Sequence, residues 1–103
     1  MRRYAARVDA NHAEIVAALE GIGCYVVDCS HVGHGFPDLL VWWRGRITPL
    51  EVKDGGKPPS ARKLTARQVV FHAEAAAKDA PVRVVTDVES AIAAMQAATL
   101  GRV

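Results

Sequence analysis

Several things are missing from this 103-residue chain, and each absence narrows what it can be. No apolar run approaches the roughly 20 residues that a bilayer-crossing helix needs. The opening residues MRRYAARVDANHAE lack the apolar core of a signal peptide, so a cytoplasmic protein is expected. Repeats, low-complexity tracts and internal linkers are also lacking, which leaves residues 1–103 as one domain. Cysteine is scarce. If residues 24–30 form one strand, Cys24 and Cys29 face opposite sides and stand about 16 Å apart, too far for a disulfide, so buried reduced thiols are expected. The formal net charge is only +2, too small by itself to argue for a polyanionic partner.

What is present is an ordinary folding composition. Half the residues are hydrophobic and 23% are charged, which is wrong for a disordered chain. The short length implies a modest core and leaves room for oligomerisation. Charge is unevenly spread: residues 44–67 hold seven of the 13 Lys and Arg but two of the 11 Asp and Glu. A basic segment thus sits in an otherwise slightly acidic protein, and a solvated surface is the ordinary reading of such a run.

The pattern predicts an α/β order. From Asp9 to about Ile22, Ile15, Leu19 and Ile22 recur at helical spacing, and Gly21 and Gly23 supply a stop. CYVVDCS reads as a strand and HVGHGFP as a loop. DLLVWWR and RITPLEVK read as strands joined by a tight turn at Gly45, with Pro49 marking an irregularity or an unpaired edge. The adjacent Trp42 and Trp43 must then face opposite sides of the sheet, at least one of them in the core. DGGKPPSARK reads as a loop. Thr65 and Gln68 have capping-box spacing for a helix to about Lys78 with Val69, Ala73 and Ala76 on one side. PVRVVT resembles a strand buried within a sheet, and Thr86 with Glu89 repeats the capping-box spacing for a last helix to about Thr99. The sum is α-β-β-β-α-β-α, with a central mixed sheet flanked by helices.

Charges at the ends of the apolar strands carry the chemistry. Asp38 begins the second strand, and Glu51 and Lys53 end the third. Period-two alternation puts Glu51 and Lys53 on one face, and a hairpin turning near Gly45 brings Asp38 beside them. Two carboxylates that close repel, and protonation of one or a divalent cation between them is the usual remedy. Oxygen ligands with room for water suit Mg²⁺ or Mn²⁺ rather than zinc. Such an ion polarises a phosphodiester and acidifies a bound water. Cys29, His31 and His34 fit no standard zinc spacing and lack a fourth ligand. Their glycine-flanked loop is instead expected to border the site, where Ser30, His31 or His34 would touch DNA.

Pro37-Asp38, a gap, and then Glu51-Val52-Lys53, in this element order, resemble the PD-(D/E)xK nuclease superfamily with its restriction-endonuclease-like core. Gly35-Phe36-Pro37-Asp38-Leu39, Glu51-Val52-Lys53 and Thr65 with Gln68 look like the compact VRR-NUC domains, many of them small stand-alone phage proteins, over roughly residues 9–95. The compartment would then be the cytoplasm of a bacterium or of a phage-infected host. The resemblance implies a metal-dependent endonuclease that leaves a 5′ phosphate. Asp38, Glu51 and the Val52 carbonyl would be ligands of Mg²⁺, with Mn²⁺ able to substitute, and Lys53 the catalytic lysine. Glu14 would match a further acidic ligand on the first helix, though it flanks the apolar stripe and could face solvent. Gln68 would match a site glutamine, though it is also the capping-box partner of Thr65. Lys57, Arg62, Lys63 and Arg67 would hold DNA phosphates. Relatives that cut four-way junctions act as dimers, so branched DNA such as a Holliday junction and a homodimer are implied. Two rivals are a DNA-binding module of the same fold without turnover and a dimeric accessory protein without DNA affinity.

Overall fold

A two-residue turn organises the sheet. In the computed structural model, which describes residues 10–100, Arg44 and Gly45 both take positive φ, 50° and 79°, as the tightest hairpins require. Glycine adopts this freely; Arg44 does so with its guanidinium 4.3 Å above the Trp43 ring. The hairpin pairs β2 (Leu39–Trp43) with β3 (Arg46–Val52), and β1 (Tyr25–Asp28) adds antiparallel to β2. After α2 (Ala66–Ala77), β4 (Arg83–Val85) returns parallel to β3, so the sheet is mixed with order β1-β2-β3-β4. With α1 (His12–Gly21) and α3 (Val88–Leu100) the order is α-β-β-β-α-β-α. Asp9, the expected helix start, lies outside the described residues, and no described helix is long and apolar enough to cross a membrane.

The two sheet faces differ. Leu39, Val41, Leu50, Val52 and Val85 point to one face and close a core with Ile15 and Leu19 of α1 and Ala91 and Met95 of α3. The cross-strand row Tyr25–Trp42–Ile47 lies on the opposite face and is exposed. Trp43 packs against the core and Trp42 does not, as adjacent strand residues must. Cys24 and Cys29 flank β1 as buried free thiols, and burial pushes both upward in pKa.

Five local expectations need correction. Ile22 caps α1 and is exposed, while His12 is buried in the first turn. The 54–63 segment is not all loop, because Pro59–Arg62 forms a short 3-10 turn for which Pro59 is preset. β4 is an edge strand rather than a buried one, since among the described residues it pairs only with β3, and Val84 is exposed. The second helical cap is shifted by one residue: Asp87 Oδ1 accepts the Ser90 N–H at 2.7 Å and Ser90 Oγ accepts the Asp87 N–H at 3.0 Å. Finally, α2 turns Gln68, Phe71, His72 and Ala75 inward and leaves Val69, Ala73 and Ala76 exposed. Alanines on every side of that helix blur its apolar stripe, and the sheet region it covers is charged. Pro49 meets its expectation. The Lys53 N–H bonds the Val85 carbonyl, so alternation turns position 49 toward the same edge, where β4 pairing starts only at Leu50.

Two tertiary joints hold the site's frame. The 31–37 loop docks on the start of α2 through Gly35, whose φ is 82° and where a Cβ would run into the Arg67 carbonyl; Phe36 and Phe71 pack edge to face at 5.4 Å beside it. Gly35→Ala is therefore expected to cost on the order of 2–4 kcal/mol, strain and clash combined. An unchanged urea midpoint would refute this joint.

At the second joint, buried His12 meets Asp28 Oδ2 at 3.1 Å, and Asp28 Oδ1 accepts the Ser30 N–H and O–H at 2.9 and 2.6 Å. Desolvation pushes the Asp28 carboxyl up, but hydrogen bonds from Ser30 and His12 outweigh it and hold it below the ordinary aspartate value. A lowered folded pKa gives stability that is complete above the unfolded value and is lost as pH falls through the folded one. The wild-type advantage over Asp28→Asn should thus be level above about pH 5 and shrink below about pH 4, staying under ~1 kcal/mol because Asp28 is half exposed. Denaturant titrations across that range measure it.

Candidate active site

The Leu39–Leu50 pair points into the core, so the next pair outward, Asp38 opposite Glu51, points to the other face, and Lys53 follows on that face. Asp38 is held in place from two sides. Its Oδ2 accepts the Val52 N–H at 2.9 Å, and its carbonyl accepts the Cys29 N–H at 2.7 Å. Within a strand the N–H and C=O of one residue point the same way, so the Val52 carbonyl also faces the Asp38 side of β3. Lys53, one residue on, turns its N–H to the Val85 carbonyl at 2.9 Å.

Glu51 is 1% exposed. A carboxylate withdrawn from water in this way is costly unless hydrogen-bonded and paired. The compensation comes from α2. Gln68 Nε2 donates to Glu51 Oε2 at 2.8 Å, while Gln68 Oε1 accepts from Lys53 Nζ at 3.1 Å and from the Thr65 N–H at 2.8 Å. Thr65 Oγ1 accepts the Gln68 N–H at 3.2 Å, completing the capping box. The structural and site readings of Gln68 therefore coincide in one side chain, whose amide direction is fixed by two donors on one side and a carboxylate on the other. Lys53 Nζ is 3.9 Å from Glu51 Oε2, an ion pair bridged by that amide.

Two neighbours of the cluster escaped sequence reasoning. His72, one turn beyond Gln68, places Nε2 4.0 Å from Glu51 Oε1; burial first, and then the Lys53 charge, hold its imidazole below the ordinary histidine pKa. Its i+4 spacing from Gln68 was the available signal. Asn11 stands at the N-cap of α1 yet makes no capping bond. Its Nδ2 donates instead to the Thr86 carbonyl at 2.7 Å and the Lys53 carbonyl at 3.2 Å, tying α1 to the ends of β3 and β4. Nothing in its local sequence distinguishes that use from an ordinary cap.

The other expected residues are spread around this corner. Glu14 is exposed, and no hydrogen bond or ion pair among the described residues links it to the cluster. Ser30 is bonded to Asp28, and His34, at φ 60°, contacts Arg67 through Nδ1. Lys57, Lys63 and Arg67 are exposed and Arg62 is half-buried. Their loop is pinned beside Lys53, because the Gly55 N–H bonds the Thr86 carbonyl at 3.1 Å and Gly55 has no room for a side chain against Thr86. Among the described residues no three His, Cys, Asp or Glu side chains are grouped to hold an ion, so the oxygen donors gathered here are two carboxylates and a backbone carbonyl.

The sequence matches no family model and no curated protein. A solved structure described as a VRR_NUC domain is similar at a TM-score of 0.62 and 26% identity, with 85% of this chain and 97% of that one covered. The chain thus has the fold of a VRR_NUC nuclease domain over most of its length, as the spacing of Pro37-Asp38 and Glu51-Val52-Lys53 implied.

Proposed function

We propose that the chain is a metal-dependent DNA endonuclease acting at the Asp38–Glu51–Lys53 corner. The observation that carries this reading is a buried carboxylate, Glu51, kept beside Asp38 and Lys53 by hydrogen bonds from another element. Asp38, Glu51 and the Val52 carbonyl are hard oxygen donors turned to one corner and would hold Mg²⁺ or Mn²⁺, with Glu14 a further acidic candidate by resemblance. When bound, such an ion supplies Lewis-acid polarisation of a phosphodiester and acidification of water. Lys53 places an ammonium where negative charge accumulates as water attacks phosphorus, and Gln68 keeps that ammonium off the Glu51 carboxylate. The bond that breaks leaves a 3′ hydroxyl and a 5′ phosphate.

The cations of the 57–67 segment would grip backbone phosphates on either side. Arg67, Lys78 and His34 line, with Glu74 and a mostly apolar floor, a groove of about 700 Å³ along α2. One corner per chain cuts one strand. Branched DNA as substrate and a homodimer as the acting form extend this reading by resemblance.

The test is incubation with labelled four-way junction, flapped, nicked and linear duplex DNA in Mg²⁺, Mn²⁺ or EDTA. Cleavage is expected with metal and absent with EDTA. Asp38→Asn, which keeps an acceptor for the Val52 N–H, Glu51→Gln and Lys53→Ala should each slow it by about 10²-fold or more. Retarded migration without cleavage would favour the binding module, and no retardation the accessory protein.

A further inference from the structure

Gln68 and His72 lie one turn apart on the inward side of α2, and each faces one oxygen of the same buried carboxylate. Gln68 Nε2 donates to Glu51 Oε2 at 2.8 Å; His72 Nε2 lies 4.0 Å from Glu51 Oε1. The imidazole is 14% exposed, and its Nε2 is buried with no hydrogen bond among the described residues. A buried polar nitrogen left so is destabilising, and movement of about 1 Å brings Nε2 and Oε1 to hydrogen-bond distance.

The geometry points to His72 as a positioning residue for Glu51: as the Nε2–H tautomer it donates to Oε1 and, with Gln68, forms a two-donor clamp that fixes the carboxylate's aim. The function of such a clamp, which rests on the metal-dependent reading above, is to preorganise a ligand before the cation arrives. A free glutamate would have to be ordered on binding, whereas one held at both oxygens by a helix has already lost that freedom. His72 touches neither substrate nor ion in this role. Its imidazole is the second of two donors that α2 delivers at i and i+4 spacing, which puts both on one helix face.

Two measurements decide it, neither of them DNA cleavage. A long-range proton–nitrogen correlation spectrum of the wild-type protein should show the His72 ring as Nε2–H; the Nδ1–H tautomer would overturn the clamp. Calorimetric titration with MnCl₂ should then separate a donor from a filler. His72→Phe keeps a ring without a donor and is expected to weaken Mn²⁺ binding by about 10- to 100-fold, while His72→Gln, which returns a donor near the same position, should recover most of it. Thermal melts establish that both variants fold. Phe binding as tightly as wild type would reduce His72 to packing and overturn the proposal. Wild-type protein that takes up no Mn²⁺ overturns both this clamp's purpose and the metal-dependent reading. Binding that depends on His72 in a protein that cuts no DNA overturns only the nuclease reading.

Discussion

A carboxylate that is almost fully withdrawn from water is the constraint around which this small domain is arranged. Glu51 sits in a strand whose neighbours Leu50 and Val52 are core residues, so its position is dictated by the sheet and its side chain has no route back to solvent. The penalty for such burial is several kcal/mol and is tolerable only with donors and a countercharge close by. Lys53 brings the charge from the same strand, and Gln68 brings the donor from a different element. The rest of the architecture has to deliver α2 to that spot.

The sheet makes this possible because its two faces are independent. Period-two alternation lets β3 send Leu50 and Val52 into a core shared with α1 and α3 while Glu51 and Lys53 face α2. The site is thus built on the rear of the same backbone that the core immobilises, and small errors in its geometry are resisted by core packing rather than by loop stiffness. Asn11 reinforces this from the other side of the sheet by bonding the Lys53 and Thr86 carbonyls. A helix cap is given up for it, so α1 starts less well satisfied than it would with a bonded Asn at that position.

Sequence patterns revealed what local chemistry controls. Strand alternation, the Gly45 turn, the Thr65–Gln68 capping box and the Pro49 edge position all follow from rules about single residues or close spacings, and each is found. The corner of Asp38, Glu51 and Lys53 was legible for the same reason, because hairpin register is itself local. What could not be read was partner choice between elements. Ala73 and Ala76 counted as an apolar face, but the surface that α2 covers is polar, so tertiary context selected Gln68 and His72 instead. Asn11 is invisible for that reason, since it acts on atoms of other elements far away in sequence, and His72 had only its i+4 spacing from Gln68 to mark it. Asp87 displaced Thr86 as helix cap because the Thr86 carbonyl is already engaged by Asn11 and Gly55.

The same logic implies that α2 is the least securely held element. None of its residues is fully buried, and it is joined to the body by Gln68 and His72 at Glu51, by Phe71 on Phe36, and by the Gly35 loop at Arg67. Two of those four joints are with the candidate site itself. A helix anchored by polar contacts to a charged cluster gains or loses hold as the charge of that cluster changes, whereas α1 and α3, anchored by Ile15, Leu19, Ala91 and Met95, do not. Gln68 joins α2 to Glu51 and Lys53, and α2 carries Arg67 while its capping Thr65 borders Lys63. Glu51 and the nearest cations therefore meet at one helix, held by contacts to the site as much as by contacts to the body of the domain.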